Sequence, residues 1–115
     1  MSKRILRINE LIKREINQII LREIEFPANT LVTITRVETN ANLAETRVYI
    51  SCLPETQISK ALQILKMNIY HIQQLLNQGL SIRIVPRIRF VEEIKPKEAG
   101  RIEEILVEIK KGKSV

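Results

Sequence analysis

The residues best suited to chemistry in this sequence are three arginines in the segment 81–91. Arg83, Arg87 and Arg89 fall at odd positions, whereas isoleucine, proline and phenylalanine fall at the even ones. Successive side chains of a β-strand point to opposite faces of a sheet, so this alternation predicts one strand across the whole segment. We therefore expect three guanidinium groups on one face of a sheet whose other face is apolar.

The charge of this region is uncompensated in the sequence. Residues 56–91 contain Lys60, Lys66 and the three arginines but no acidic residue, and they contribute +5 to a chain whose net charge is +6. Such a surface favours a polyanionic partner. Aromatic residues are few, with two Phe, two Tyr and no Trp. If the partner is a nucleic acid, contacts with its backbone and shape should dominate over base stacking.

The inventory of catalytic residue types is poor. The chain has no aspartate, a single histidine (His71) and three glycines that are too far apart for a phosphate-binding loop. Its one cysteine, Cys52, excludes an internal disulfide and a multi-cysteine metal site. These features predict a protein that is not an enzyme and has no metal or cofactor. A small hydrolase or nuclease using Glu92 and Glu93 is a less favoured alternative.

The first half of the chain has clear element signals. Isoleucines recur every three or four residues over 3–24 and predict a long amphipathic helix with Ser2 as its N-cap. Segments 31–39 and 45–53 read as two strands joined by an asparagine-containing turn. The alternation in the first of these strands is irregular, which indicates a bulge or register change. Cys52 falls on the apolar face and is expected to be buried.

The second half predicts a helix, the arginine strand and a final helix. Apolar residues over 58–76 are spaced as in one continuous helix, and residues 102–109 mark a short helix near the end. The expected fold is a single α+β domain over 1–110 with a frayed tail at 111–115. Its three-stranded sheet would carry helices on one face and expose Arg47, Tyr49 and the three arginines on the other.

The sequence resembles one known family at three places. Segments 32–38 and 42–51 resemble the hairpin of bacterial ribosome-binding factor A, 83–90 resembles its third strand, and 101–106 resembles its closing helix. The resemblance covers residues 3 to 109. It implies a type II KH-like domain with the order α-β-β-α-α-β plus a short C-terminal helix.

The resemblance also implies a function. The family binds the immature small (30S) ribosomal subunit and its 16S rRNA, supports late rRNA processing, is linked to growth in the cold, and has no catalytic activity. An assembly GTPase is associated with its release in some bacteria. For this chain we accordingly expect a cytoplasmic protein that is monomeric, binds no membrane and contacts RNA phosphates. The expected RNA-binding residues are Lys3, Arg4, Arg7, Lys60, Lys66, Arg83, Arg87 and Arg89.

The resemblance and the periodicity disagree about the region 58–76. The family has an Ala-x-Gly kink between two helices, and by alignment this kink should fall at Asn68, Ile69 and Tyr70. Neither the alanine nor the glycine is present there. Periodicity alone predicts an unbroken helix.

A second class of function is also compatible with the sequence. The chain could be a protein-interaction module that docks through the edge of its sheet or through the glutamine-rich face of the second helical region. Binding to phosphates should weaken steeply with salt, whereas hydrophobic docking should not. The salt dependence of binding therefore separates the two hypotheses.

Overall fold

The computed structural model describes residues 2–94, which form three helices and three strands. The order is α-β-β-α-α-β, and a short 3-10 turn at Glu55–Gln57 precedes the second helix. This confirms the predicted α+β class. The expected final helix and frayed tail lie outside the described residues. The elements are α1 (Lys3–Glu23), β1 (Leu31–Thr39), β2 (Glu45–Leu53), α2 (Ile58–Met67), α3 (Ile69–Gly79) and β3 (Arg87–Glu92).

Helix α1 begins and packs as the sequence predicts. The backbone N–H of Ile5 donates to the Ser2 hydroxyl at 3.1 Å, which gives one of the first unpaired amides of the helix a partner. Ile12, Ile16 and Ile19 are fully buried against the sheet and α3. Burying one such side chain stabilises the fold by about 1.5–3 kcal/mol.

The sheet has β2 at its centre, with β1 antiparallel and β3 parallel to it. The register of β1 shifts between Ile34 and Arg36, as the irregular alternation indicated. Because of this bulge, Ile34 and Val37 both face the core although they are three residues apart. Cys52 is buried on the same side of the sheet, as predicted.

The continuous helix predicted over 58–76 is wrong, because the structure has two helices separated at Asn68. Asn68 leaves the helical region with φ −105° and ψ 11°. The carbonyl of Ile64 accepts both the backbone N–H of Asn68, at 3.2 Å, and its side-chain amide, at 2.8 Å. A short polar side chain that competes for a backbone carbonyl in this way disfavours an uninterrupted helix.

The arginine strand is shorter than predicted. Strand β3 begins at Arg87, so residues 81–86 form a loop and Arg83 does not lie on the sheet. Pro86, which has no N–H to donate, is buried immediately before the strand. The alternation holds within β3, where Ile88 and Phe90 are buried and Arg87 and Arg89 are exposed.

The outer edge of β3 is paired with a side chain. The Gln73 carbonyl oxygen accepts the N–H of Ile88 at 2.9 Å, and its amide donates to the carbonyl of Pro86 at 3.1 Å. On the opposite side of the strand, the N–H of Arg87 donates to the carbonyl of Ala44 at 3.1 Å. The Gln73 side chain thus occupies the hydrogen-bonding position of a further strand and fixes where β3 begins.

We expect Gln73→Ala to lower the free energy of unfolding by about 1–2 kcal/mol, because it leaves two backbone groups of an edge strand without their partners. Urea unfolding followed by circular dichroism measures this loss as a lower midpoint at an unchanged slope. Gln74→Ala is the matched control, since Gln74 is an exposed neighbour on the same helix. Equal midpoints for the two variants would contradict the role assigned to Gln73.

Burial raises the pKa of the Cys52 thiol. Because the thiolate is the reactive form, we expect alkylation at pH 8 to be at least about tenfold slower in the folded protein than in urea. The same shift lowers stability as pH rises above the ordinary thiol pKa, since the unfolded chain releases its proton first. Mass spectrometry of iodoacetamide-treated protein provides the rate, and equal rates in both states would show that the thiol is accessible.

Candidate nucleic-acid interface

The structure distributes the predicted RNA-binding residues over three places. Four of them meet at one end of α1. Two lie on the exposed side of α2, and two lie on the outer face of β3, opposite the helices. The group at the end of α1 is Lys3, Arg4, Arg7 and Arg83, the group on α2 is Lys60 and Lys66, and the group on β3 is Arg87 and Arg89.

The first group lines a groove of about 610 Å³, which we call the α1 groove. Its walls come from the first turns of α1, from the turn between β1 and β2, and from the loop between α3 and β3. Its four cationic side chains are exposed, and among residues 2–94 no acidic residue lines it. The remaining lining residues are the aliphatic Ile8, Leu11, Leu43, Ile82 and Ile84.

The positive charge at the start of α1 opposes the helix dipole. The first turn has no acidic residue and carries Lys3 and Arg4. The N-terminal end of a helix has a positive partial charge, so cations there cost roughly 0.3–1 kcal/mol each. An anion bound in the α1 groove would interact favourably with both the side chains and the dipole.

Local backbone geometry assembles the far wall of the groove. Leu43 has a φ of 61°, which is unusual for a residue with a branched side chain, and its N–H donates to the carbonyl of Asn40 at 2.9 Å. The side chain of Asn42 accepts the N–H of Ala44 at 3.0 Å. These bonds close the turn and direct the half-buried Leu43 toward α1.

The outer face of the sheet is largely neutralised, which the sequence reading missed. The Arg36 guanidinium lies 3.8 Å above the Tyr49 ring and donates to Glu93 at 2.8 Å. Arg47 donates to Tyr49 at 3.2 Å and to Glu38 at 3.3 Å. The hydrogen bond to Glu93 raises the pKa of Arg36, and those to Tyr49 and Glu38 raise the pKa of Arg47. The sequence predicts that Arg47 and Tyr49 are exposed on this face, but both are half-buried and hydrogen-bonded.

Arg87 and Arg89 remain exposed on the same face. Glu45 of the adjacent strand approaches Arg89 to 3.8 Å, although the Arg89 side chain is 67% exposed. Residues 56–91 contain no acidic residue, but in the folded protein Glu45 of β2 brings a carboxylate close to Arg89. An exposed pair of this kind contributes little to stability, so Arg89 can still exchange its partner for a phosphate.

The break between α2 and α3 falls at Asn68, the first of the three residues where the resemblance placed the kink. Ile69 packs against the core, and Tyr70 is 77% exposed. The first helical amides of α3 follow Asn68 directly, and its side chain makes no capping bond to them. The break therefore forms here without the alanine and glycine of the family pattern.

Glu93 and His71, whose side chains are suited to acid–base chemistry, are engaged in structural contacts, whereas Glu92 is exposed. Glu93 accepts from the hydroxyl of Thr35 at 2.7 Å as well as from Arg36. His71 lies 3.2 Å from Glu23, joining α3 to the end of α1. Within residues 2–94, no three His, Cys, Asp or Glu side chains are grouped as metal ligands. Nor does that range contain a helix with the length and apolar character needed to span a membrane.

Two sequence comparisons, with a family model and with individual proteins, relate this chain to known proteins. The family model of ribosome-binding factor A matches residues 4–106. A ribosome-binding factor A from Thermodesulfovibrio yellowstonii is 33% identical over 109 residues, which cover 95% of this chain and 92% of that protein.

Solved structures show the same fold. The crystal structure of ribosome-binding factor A from Thermus thermophilus superposes with a TM-score of 0.67 at 19% identity, covering 76% of this chain and 94% of that one. A homology model of the Thermus thermophilus factor, fitted into a cryo-EM map of its complex with 30S, gives a TM-score of 0.60 at 23% identity, with 72% and 88% covered. The family match over most of the sequence and the shared fold lead to one conclusion: this chain belongs to the ribosome-binding factor A family.

Proposed function

We propose that this protein is a non-enzymatic assembly factor that binds the immature 30S subunit and its 16S rRNA and supports late rRNA processing and subunit maturation. Family membership supports the ribosomal partner. A second support is the cryo-EM map of a 30S complex into which a homology model of the Thermus thermophilus factor was fitted. The observation that carries the RNA-binding part is the α1 groove, where four exposed cations converge and the described part of the chain contributes no acidic lining residue.

The groove is the main RNA contact in this proposal. Arg83 reaches it from a separate loop, so its cations are concentrated by the fold and not by α1 alone. Lys60 and Lys66 on α2 and Arg87 and Arg89 on β3 lie on opposite sides of the molecule. They serve as flanking contacts to neighbouring segments of a folded RNA. Such contacts position the protein without reading base sequence.

Asn68, Ile69 and Tyr70 form a further candidate contact. In this proposal the break holds Tyr70 at the surface, where a ribose or a base can approach it. The core packing of Ile69 keeps the two helices in fixed relation. Its place in RNA binding is secondary to that of the α1 groove, since the break carries no cation between Asn68 and Tyr70.

The proposal extends to the setting in which the factor works. The chain acts in the cytoplasm as a monomeric single KH-like domain, supports growth in the cold, and leaves the subunit with the help of an assembly GTPase. It uses no cofactor. The family resemblance supports the KH-like domain, growth in the cold and the assembly GTPase, and the sequence composition supports the cytoplasmic setting and the lack of a cofactor.

The structure weakens one form of the protein-interaction alternative. A partner strand adding to the start of β3 would need the groups of Pro86 and Ile88 that Gln73 already occupies, whereas this contact does not affect docking at β1, the other edge strand of the sheet. The glutamine-rich helix face stays available for docking, since Gln74 and Gln78 are exposed on α3. Salt-insensitive binding to the subunit would favour that surface.

Sedimentation of bacterial lysate on a sucrose gradient tests the proposed function. We expect the tagged protein to migrate with free small subunits and immature precursors, and not with translating ribosomes. The measurement is an immunoblot across the gradient at low salt, with the same fractions probed for 16S rRNA precursors. Migration only at the top of the gradient under these conditions would refute the proposal.

We expect Arg83→Ala to weaken binding to purified small subunits and to reduce the slope of log affinity against log salt by roughly 0.7–0.9, the value of one lost phosphate contact. Arg22→Ala is the matched control, because Arg22 is an exposed arginine near the other end of α1. Fluorescence anisotropy over a salt series measures both. Identical slopes for the two variants would place Arg83 outside the interface.

A further inference from the structure

The α1 groove combines two kinds of surface that a phosphate contact alone does not require. Four of its nine lining residues are cationic, and the other five are aliphatic. Ile84 is 60% exposed within it, and the neighbouring Ile82 and Leu43 are half-buried. Exposed apolar surface next to clustered cations indicates a ligand with both a flat apolar part and negative charge.

We propose that the α1 groove holds one unpaired nucleotide of the RNA, with its base on the aliphatic floor and its flanking phosphates on Lys3, Arg4, Arg7 and Arg83. This inference rests on the proposed function and names the RNA feature that its main site recognises. A paired helix presents phosphates to a protein but keeps its bases stacked inside. An extruded base exposes an apolar face that can cover Ile84 and exclude water from it.

The chemistry of the lining also decides how selective the site is. Within the part of the chain that the structure describes, no Asn, Gln, Ser or Thr lines the groove, so none of these neutral side chains is placed to read the hydrogen-bonding edge of a base. Arginine planes and aliphatic side chains contact any base face in a similar way. The site should therefore select an unpaired nucleotide by its accessibility and not by its identity.

This site is separate from the break between the helices. None of the residues that line the α1 groove belongs to α2 or α3. The volume of about 610 Å³ lies in the range of small-molecule sites, which suits a single nucleotide. An acidic peptide with apolar side chains is the competing occupant, and the experiment below separates it from RNA.

The test compares two hairpin RNAs, one fully paired and one with a single-nucleotide bulge, by fluorescence anisotropy with the full-length protein. We expect the bulged hairpin to bind about fivefold more tightly, a smaller gain than stacking on an aromatic ring would give. All four bulge bases should bind within about twofold of one another. Equal binding of the paired and bulged hairpins would overturn the proposal.

Variants assign the preference to the groove. Ile84→Ser should abolish the preference for the bulge while leaving the salt slope unchanged. Leu21→Ser is the control, since Leu21 is 83% exposed on α1 outside the groove. Arg83→Ala should weaken binding to both hairpins equally. Thermal unfolding by circular dichroism verifies that each variant is folded.

Subunit binding by the same variants separates this inference from the proposed function. Wild-type protein that co-sediments with small subunits but shows no bulge preference would overturn only the nucleotide site. If Ile84→Ser lost subunit binding but kept the bulge preference, we would conclude that the aliphatic residues of the groove bind a peptide. The proposed nucleotide site would then also be refuted. Absence of wild-type protein from the subunit fractions would refute the proposed function itself.

Discussion

The packing of α1 onto the inner face of the sheet is the constraint on which the rest of the structure depends. Its isoleucines supply three fully buried side chains, and they contact a sheet surface that includes Val48 and Ile50, which are also fully buried. Burial of this aliphatic surface is the largest favourable contribution available to a chain with so few aromatic residues. Because α1 is held along its length, its charged first turns have a fixed position against the loops that complete the groove.

Polar contacts then select the details that aliphatic packing leaves open. A buried cluster joins α1 to the sheet, where the hydroxyl of Thr39 donates to Asn9 at 2.6 Å and lies 2.8 Å from the hydroxyl of Thr46. Gln73 fixes the beginning of β3, and Asn68 fixes the break between α2 and α3. Each of these side chains gives a partner to groups that would be costly to leave unpaired. These hydrogen bonds select one arrangement of the helices and strands among those that apolar packing alone would allow.

The distribution of charge separates a structural face from a binding surface. On the outer face of the sheet, Arg36 and Arg47 are paired with Glu93 and Glu38 around Tyr49. At the end of α1, by contrast, the cations line a groove to which the described residues contribute no acidic side chain. Both regions contain several basic residues, yet only the second presents a concentrated positive potential to a polyanion. Net charge alone does not distinguish these two arrangements.

The order of residues along the chain is enough to predict what depends on local periodicity and composition. It predicted α1 with its Ser2 cap, both strands of the hairpin, the irregularity in β1 and the burial of Cys52, because each is visible in the spacing of neighbouring residues. The same spacing predicted the order of the elements as far as β3, and the resemblance to the family added the break within 58–76; the structure confirms both.

Features that join distant residues depend on tertiary contacts, which cannot be predicted from local spacing. The apolar stripe of 58–76 runs through the helix break, since Leu65 and Ile72 on either side both face the core, so periodicity could not reveal it. Likewise, Arg83 alternates with isoleucines as in a strand, but the Gln73 bond to Ile88 starts β3 after it and leaves Arg83 beside α1. Strand boundaries and ion-pair partners depend on contacts across the chain, which the order of residues does not display.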